Sequence, residues 1–118
     1  MHKVKADFSK NRLYITLGRL ETGEAAVAAE AVIKECGRLK KGFTVVTDVS
    51  NFVPIDIYEQ KQITKAQEHL VKSGMSKSVR VIGTSPIGQL QMNRLSRKVG
   101  YSSDRFETIK EAEASLDK

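Results

Sequence analysis

Apolar and polar residues alternate twice near the start of the chain, over residues 4–8 and again over residues 13–17. A period of two is typical of a strand that buries one of its faces. The segment between them, Ser9–Arg12, consists of polar residues that favour turns, and Asn11 tolerates the left-handed backbone of a tight turn. The pattern therefore predicts a β-hairpin.

Apolar residues follow helical spacing in four later segments, and local signals mark where several of these segments begin. We expect Thr22 to be the N-cap of the first helix. Asp56 with Glu59, like Thr108 with Glu111, forms a capping-box pattern. The predicted helices span residues 23–40, 57–73, 86–99 and 109–117.

Short apolar runs at residues 43–47 and 78–83 separate these helices and predict strands, and residues 104–106 are expected to form a short edge strand. The order of elements is β-β-α-β-α-β-α-β-α. Strands that alternate with helices after a hairpin predict an α/β fold with a mixed sheet and a largely parallel centre. We therefore expect one domain over residues 1–118, with a four- or five-stranded mixed sheet and about four helices.

A short motif follows the first of these strands. It consists of Asp48–Ser50 and, after four intervening residues, Ile55–Glu59. This motif and the order of elements resemble those of the STAS domain, the fold of bacterial anti-sigma factor antagonists. That family typically has Asp-Leu-Ser and then Met-Asp-Ser-Ser-Gly at this place. The resemblance implies a STAS-like domain with a non-enzymatic, regulatory role in protein interactions.

The chain departs from the family pattern at its two serines, which are replaced by Ile57 and Tyr58. In the regulatory family, a partner kinase phosphorylates one of these serines at the start of a helix, where free N–H groups and the helix dipole stabilise the phosphate. A serine kinase can modify neither side chain here. We therefore expect this chain to lack the phosphoserine switch; phosphorylation of Ser50 or Thr47 instead is the less favoured alternative.

The loop over residues 48–58 is the surface that we expect to contact a partner protein. Its apolar side chains are candidate anchors within a polar rim, although Phe52, Ile55 and Ile57 are also candidates for the core. Loop and capping requirements alone explain the aspartates. The candidate partner-binding residues are Ser50, Asn51, Phe52, Asp56, Ile57 and Tyr58.

Positive charge is concentrated in the second half of the chain. There are 20 Lys and Arg against 14 Asp and Glu, and residues 60–105 contain nine basic side chains but only two acids, Glu68 and Asp104. Such a region predicts an anionic partner or a solvated basic surface. The loop over residues 83–88 can present free N–H groups at a helix start. The candidate anion-binding residues are Thr84, Ser85, Arg94, Arg97 and Lys98.

These patterns leave three classes of function open. The leading hypothesis is a regulatory module that binds another protein, with a homodimer through an open sheet edge as one form of it. The alternative is a domain that binds a small anionic or lipid-like ligand. The further alternative is nucleic-acid binding through residues 60–105, which the small number of aromatic residues disfavours.

Composition further narrows the class of protein and its location. With 40% hydrophobic and 29% charged residues, the chain is typical of a globular protein, and no apolar run is long enough for a membrane span. The N-terminus has no apolar stretch of the secretory type, and a single cysteine, Cys36, allows no internal disulfide. We expect a cytoplasmic protein. Cys36 lies on an apolar helix stripe, far from both histidines, so we predict no metal site, no cofactor and no enzymatic activity.

Overall fold

The hairpin and three further strands form one five-stranded sheet. The computed structural model describes residues 1–83 and 87–117, and for Ile87 and Gly88 the backbone alone. The strands lie side by side in chain order, with the first pair antiparallel and the other pairs parallel. They are β1 (His2–Asp7), β2 (Arg12–Leu17), β3 (Thr44–Asp48), β4 (Lys77–Val81) and β5 (Asp104–Phe106). The predicted α/β fold with a mixed sheet is confirmed.

Three of the four helices cover one face of the sheet and the last helix covers the other. Each of the three parallel crossovers moves one strand further in the same direction, so right-handed connections place their helices on a common face. The short C-terminal helix packs against the opposite face, over the last three strands. The helices are α1 (Glu24–Cys36), α2 (Ile57–Lys72), α3 (Ile87–Lys98) and α4 (Ile109–Leu116).

The main core fills the space between the sheet and α1 to α3. Leu13, Ile15 and Leu17 point into it from β2, because alternate residues of a strand share a face. α1 contributes small side chains, including Ala25 and Ala28, which let this helix approach the sheet closely. A second, smaller cluster lies under α4 and consists of Val46, Val79, Val81 and Ala112.

The first helix is shorter than predicted: it covers Glu24–Cys36 instead of residues 23–40. Thr22 is not its cap: α1 starts at Glu24 after Gly23, which adopts φ 84° and provides no side-chain hydrogen bond. The carboxylate of Glu59 on α2 accepts instead from the backbone N–H of Gly23 at 2.5 Å and of Ala25 at 3.1 Å. A buried acid from a distant segment thus satisfies the helix start, where the dipole favours a negative charge.

Two predicted helix starts are confirmed. The Asp56 carboxylate accepts from the N–H of Glu59 at 3.0 Å, and the Thr108 hydroxyl accepts from the N–H of Glu111 at 3.2 Å. Both caps satisfy backbone groups that the helix leaves unpaired. They could be predicted because cap and partner are only three residues apart.

Candidate anion-binding site

Arg80 is a charged side chain in the interior of the protein. Its neighbours in β4, Val79 and Val81, face α4, so Arg80 faces the three-helix layer and is only 3% exposed. Its guanidinium donates from Nη1 to Asn93 Oδ1 at 3.0 Å and from Nη2 to Ser96 Oγ at 2.7 Å. Both acceptors are neutral, and Nε has no hydrogen-bond partner among the described residues.

No acidic side chain balances the charge of Arg80. Within residues 1–83 and 87–117, no carboxylate oxygen lies within 4.0 Å of its guanidinium nitrogens. Burial lowers the pKa of Arg80, and the positive charge of Arg105 acts in the same direction. An arginine nevertheless stays charged in proteins. Because buried charges are normally paired, Arg80 is a buried cation without its usual counter-charge.

Arg105 places a second positive charge beside the first. Arg80 and Arg105 are register partners in the parallel pair of β4 and β5, so they share one face of the sheet. Like charges that lie directly opposite each other on neighbouring strands destabilise a sheet. Arg105 is exposed, which moderates the repulsion, yet the pair still favours an anion between the two guanidinium groups.

Arg12 shows how this protein balances a buried guanidinium elsewhere. It is 4% exposed and donates from Nη1 to Glu113 at 2.7 Å and from Nη2 to Asp117 at 2.8 Å. Burial acts to lower the pKa of Arg12, but the hydrogen bonds to these two carboxylates outweigh it and raise that pKa. Arg80 is equally buried and has neither acid, so its lack of a counter-charge is not general in this fold.

The unpaired charges line a cleft between the end of α3 and β5. Its volume is about 500 Å³, which lies in the usual range of about 300–1,000 Å³ for ligand sites. Its walls carry no Asp or Glu among the described residues, so their formal charge is positive. The polar side chains that line it are Arg80, Asn93, Ser96, Arg97, Ser102 and Arg105, with Ser103 beside them.

Tyr101 forms part of the cleft wall and adds no charge to it. Its ring is 5% exposed, and its hydroxyl accepts from Ser78 Oγ at 2.9 Å. Ser78 also contacts Ser103 Oγ at 2.6 Å, so the loop before β5 is held against β4. Burial raises the pKa of Tyr101, and the phenol therefore stays protonated and contributes no negative charge.

A second, apolar cavity lies behind Arg80 and Tyr101, between the sheet and the three helices. Ala28, Ile63 and Met92 are among its walls, and its volume is about 30 Å³. That is about the volume of one water molecule. An acyl chain needs many times more space, so the lipid-like ligand among the sequence hypotheses finds no cavity here.

The structure brings together only part of the predicted anion site. Arg97 lines the cleft, whereas Arg94 and Lys98 are exposed on α3 and do not line it, and Thr84 and Ser85 lie outside the described residues. Sequence reasoning missed Arg80 and Arg105. Two signals were present: no acid occurs between Glu68 and Asp104, and an arginine stands between two valines in a buried strand.

The predicted partner-binding loop divides into buried and exposed residues. The prediction that Phe52 is an exposed anchor is wrong, because a turn closed by its N–H donating to Val49 O at 3.0 Å returns the ring to the core, where it is 2% exposed. Ser50 is half-buried and bonds to Asp48 at 2.6 Å. The exposed members are Asn51, Asp56, Ile57 and Tyr58.

Comparison of the chain with family models, with curated proteins and with solved structures found no significant match. The resemblance to STAS domains stays a prediction based on element order and one motif. None of the helices that the structure describes is both long and apolar enough to cross a membrane. Across residues 1–83 and 87–117, no three His, Cys, Asp or Glu side chains converge where they could hold a metal ion.

Proposed function

We propose that this protein is a binding domain for a small anionic ligand, which sits on Arg80 in the cleft between α3 and β5. The observation that carries the proposal is the guanidinium of Arg80, which is 3% exposed and has no carboxylate partner among the described residues. An anion in the cleft supplies the missing counter-charge in a region of low dielectric constant, where charge pairing is strong.

The hydrogen bonds around Arg80 support a ready-made site. Asn93 and Ser96 hold two of its N–H groups, and Gln67 donates to the same Ser96 oxygen at 3.0 Å, so the guanidinium is fixed in orientation. A planar guanidinium that is already fixed loses little conformational freedom when it binds an oxyanion. Each Nη nitrogen of Arg80 has a second N–H with no partner among the described residues, which is left for a ligand in the cleft, whereas Nε is buried.

The chemistry of the walls supports binding rather than catalysis. Among the described residues, the cleft is lined by arginine, serine, asparagine, glycine and a tyrosine whose pKa is raised. None of these can serve as a general base near neutral pH, and the described side chains that line the cleft include no carboxylate, histidine or thiol. We therefore extend the expectation of a non-enzymatic protein to this site.

A thermal-shift titration with sodium sulfate, against sodium chloride at equal ionic strength, tests the proposal. Sulfate should raise the melting temperature of the native protein, because a ligand that binds only the folded state stabilises it. Sulfate also stabilises folded proteins in general by exclusion from their surface, so Arg80→Met should reduce the rise to that general effect. Arg94→Gln is the matched control, since it removes one exposed positive charge from α3 outside the cleft. An equal response in Arg80→Met, or an equal loss in Arg94→Gln, would contradict the proposal.

A regulatory protein-interaction module is the second candidate, and a patch of exposed apolar residues favours it. Ile57, Tyr58 and Leu90 are 54%, 75% and 70% exposed. The Gln91 side chain bonds to both the N–H and the carbonyl of Ile55, at 2.8 and 2.9 Å, so the starts of α2 and α3 lie together. Tyr58→Ser and Leu90→Ser should remove a co-purifying partner without loss of stability. Co-purification that survives both changes would exclude this surface.

A further inference from the structure

We infer that the ligand of the cleft is a phosphate monoester in its dianionic form, carried on a small hydroxyl-bearing molecule. This inference rests on the proposed function and specifies its ligand class. Three arginines, Arg80, Arg97 and Arg105, line the cleft, and no acid among the described residues offsets them. A monoanion leaves two of these charges unbalanced, whereas a dianion can balance the cross-strand pair of Arg80 and Arg105.

The hydrogen-bond donors in the cleft also favour a phosphate monoester as the ligand. A guanidinium has five N–H groups in a planar fork, and Arg80 uses two of its nitrogens on Asn93 and Ser96. The fork of Arg105 is on the same sheet face beside it. The second N–H of each Arg80 Nη and the fork of Arg105 can be shared among the three terminal oxygens of a phosphate monoester more evenly than between the two oxygens of a carboxylate.

The rest of the cleft suits a polar body on that phosphate. A phosphate group fills only a small part of a volume of about 500 Å³. Since the Asn93 carbonyl oxygen accepts from Arg80, its amide N–H groups are left to donate, and Ser102 is exposed at the rim. Amide and hydroxyl groups bind the hydroxyls of a sugar or polyol better than an apolar tail.

Burial of the anchoring residue separates this ligand from polymers and lipids that carry phosphate. Arg80 is 3% exposed, so a phosphodiester in the middle of a nucleic-acid strand, flanked by sugars on both sides, reaches it poorly. The apolar cavity behind Arg80 measures about 30 Å³ and cannot take an acyl chain. A terminal phosphate on a small molecule can reach the buried Arg80 and needs no space for an acyl chain.

The ionisation of the ligand provides the test, because arginine stays charged in proteins and burial raises the pKa of Tyr101. The titratable groups that face Arg80 are Arg97 of α3, Arg105 of β5 and Tyr101 of the connecting loop. The nearest acid on β5, Asp104, is on the other face of the strand and is paired with Lys77 at 3.3 Å. With a second phosphate pKa of about 6, the dianionic fraction falls about tenfold between pH 7.5 and pH 5.0.

The experiment is isothermal titration calorimetry with ribose 5-phosphate, sulfate and gluconate at pH 7.5 and pH 5.0. We expect ribose 5-phosphate to lose affinity about tenfold at the lower pH, while sulfate, a dianion at both values, changes by less than about twofold. Arg105→Gln should weaken ribose 5-phosphate at least about tenfold. Because Arg105 is exposed, this variant should fold even if a change at Arg80 does not.

The outcomes separate the two proposals. If gluconate binds as tightly as ribose 5-phosphate and neither depends on pH, the ligand is a carboxylate: the inference of a phosphate ester is then overturned and the proposed anion site stands. If sulfate, gluconate and ribose 5-phosphate all fail to bind the native protein, both proposals fail. Equal weakening by Arg94→Gln and Arg105→Gln would indicate a general charge effect and would overturn the assigned site.

Discussion

Replacement of Arg80 by methionine measures what the unpaired buried charge costs the fold. The change removes two charge-assisted hydrogen bonds, to Asn93 and Ser96, each with a net contribution of about 1.5–3 kcal/mol. Against this loss, an isolated ion in the interior carries a desolvation penalty of several kcal/mol. The two effects are similar in size, so the surroundings of the two acceptors decide the sign.

Neither acceptor is left without a partner in the variant. Ser96 still receives a hydrogen bond from Gln67 at 3.0 Å, and Asn93 is half-buried beside an open cleft, where water can reach it. Methionine matches the length of the arginine stem and extends the apolar surface around Met92. We therefore expect Arg80→Met to be as stable as the native protein or up to about 3 kcal/mol more stable. Replacement of buried ionic groups by apolar residues in other proteins has had effects of this size.

Urea unfolding in a chloride buffer without phosphate or sulfate, followed by circular dichroism, measures this difference. In a thermal melt in the same buffer, each kcal/mol would correspond to about 3–5 °C in melting temperature for a chain of 118 residues. Arg12→Met is the matched control, because it strands two carboxylates that are partly exposed, Glu113 and Asp117. We expect it to lose about 2–4 kcal/mol. A loss of more than about 2 kcal/mol in Arg80→Met would show that Arg80 stabilises the fold, and the reasoning for a ligand site would fail.

Three further predictions concern the supports of the fold. Hydrogen bonds donated by side chains of β2 lower the pKa of Glu113 and Asp117. The contribution of these two carboxylates to stability is complete above their ordinary pKa values of 4.5 and 3.8 and is lost as pH falls through the lowered values of the folded state. The melting temperature should therefore drop below about pH 4.5. A melting temperature that stays constant from pH 6 to 3 would contradict this. Glu59→Gln should cost about 1 kcal/mol in urea, since it weakens the start of α1, and an unchanged midpoint would refute that role. Gly83→Ala should cost at least about 1–2 kcal/mol by the same assay, because φ is 59° and the added Cβ would lie 2.8 Å from Ser50 Cβ; native stability would show that the loop moves aside.

Local signals account for the parts of the fold that could be predicted from the sequence. The hairpin follows from a period of two, and the caps at Asp56 and Thr108 follow from partners three residues away. The start of α1 could not be predicted, because its stabilising carboxylate belongs to Glu59 on another helix. Phe8 continued the alternating pattern but lies in the turn, 57% exposed, where the Arg38 guanidinium sits over its ring at 4.8 Å.

The site was harder to predict than the fold, because its residues come from three elements and depend on which face each strand presents. Arg97 stood out as part of a basic helix, whereas Arg80 was hidden in a strand whose alternation looks ordinary. Only the crossovers decide that the face of β4 carrying Arg80 lies under three helices. Only the register of β5 places Arg105 beside it.

The two buried arginines of this sheet differ in how their charges are balanced. Arg12 is neutralised by Glu113 of α4 and by Asp117 directly after that helix, so its charge contributes to holding the fold together. Arg80 has equal burial, neutral acceptors and a second arginine opposite. We expect this arrangement to contribute no stability, or to reduce it, as long as the cleft holds no anion. A protein keeps an unfavourable charge in its interior most readily where binding uses it, because sites organised for a ligand are commonly less stable without it. The same charge that destabilises the unliganded fold would then strengthen binding, so a change that raises stability and abolishes sulfate binding together would be the signature of this site.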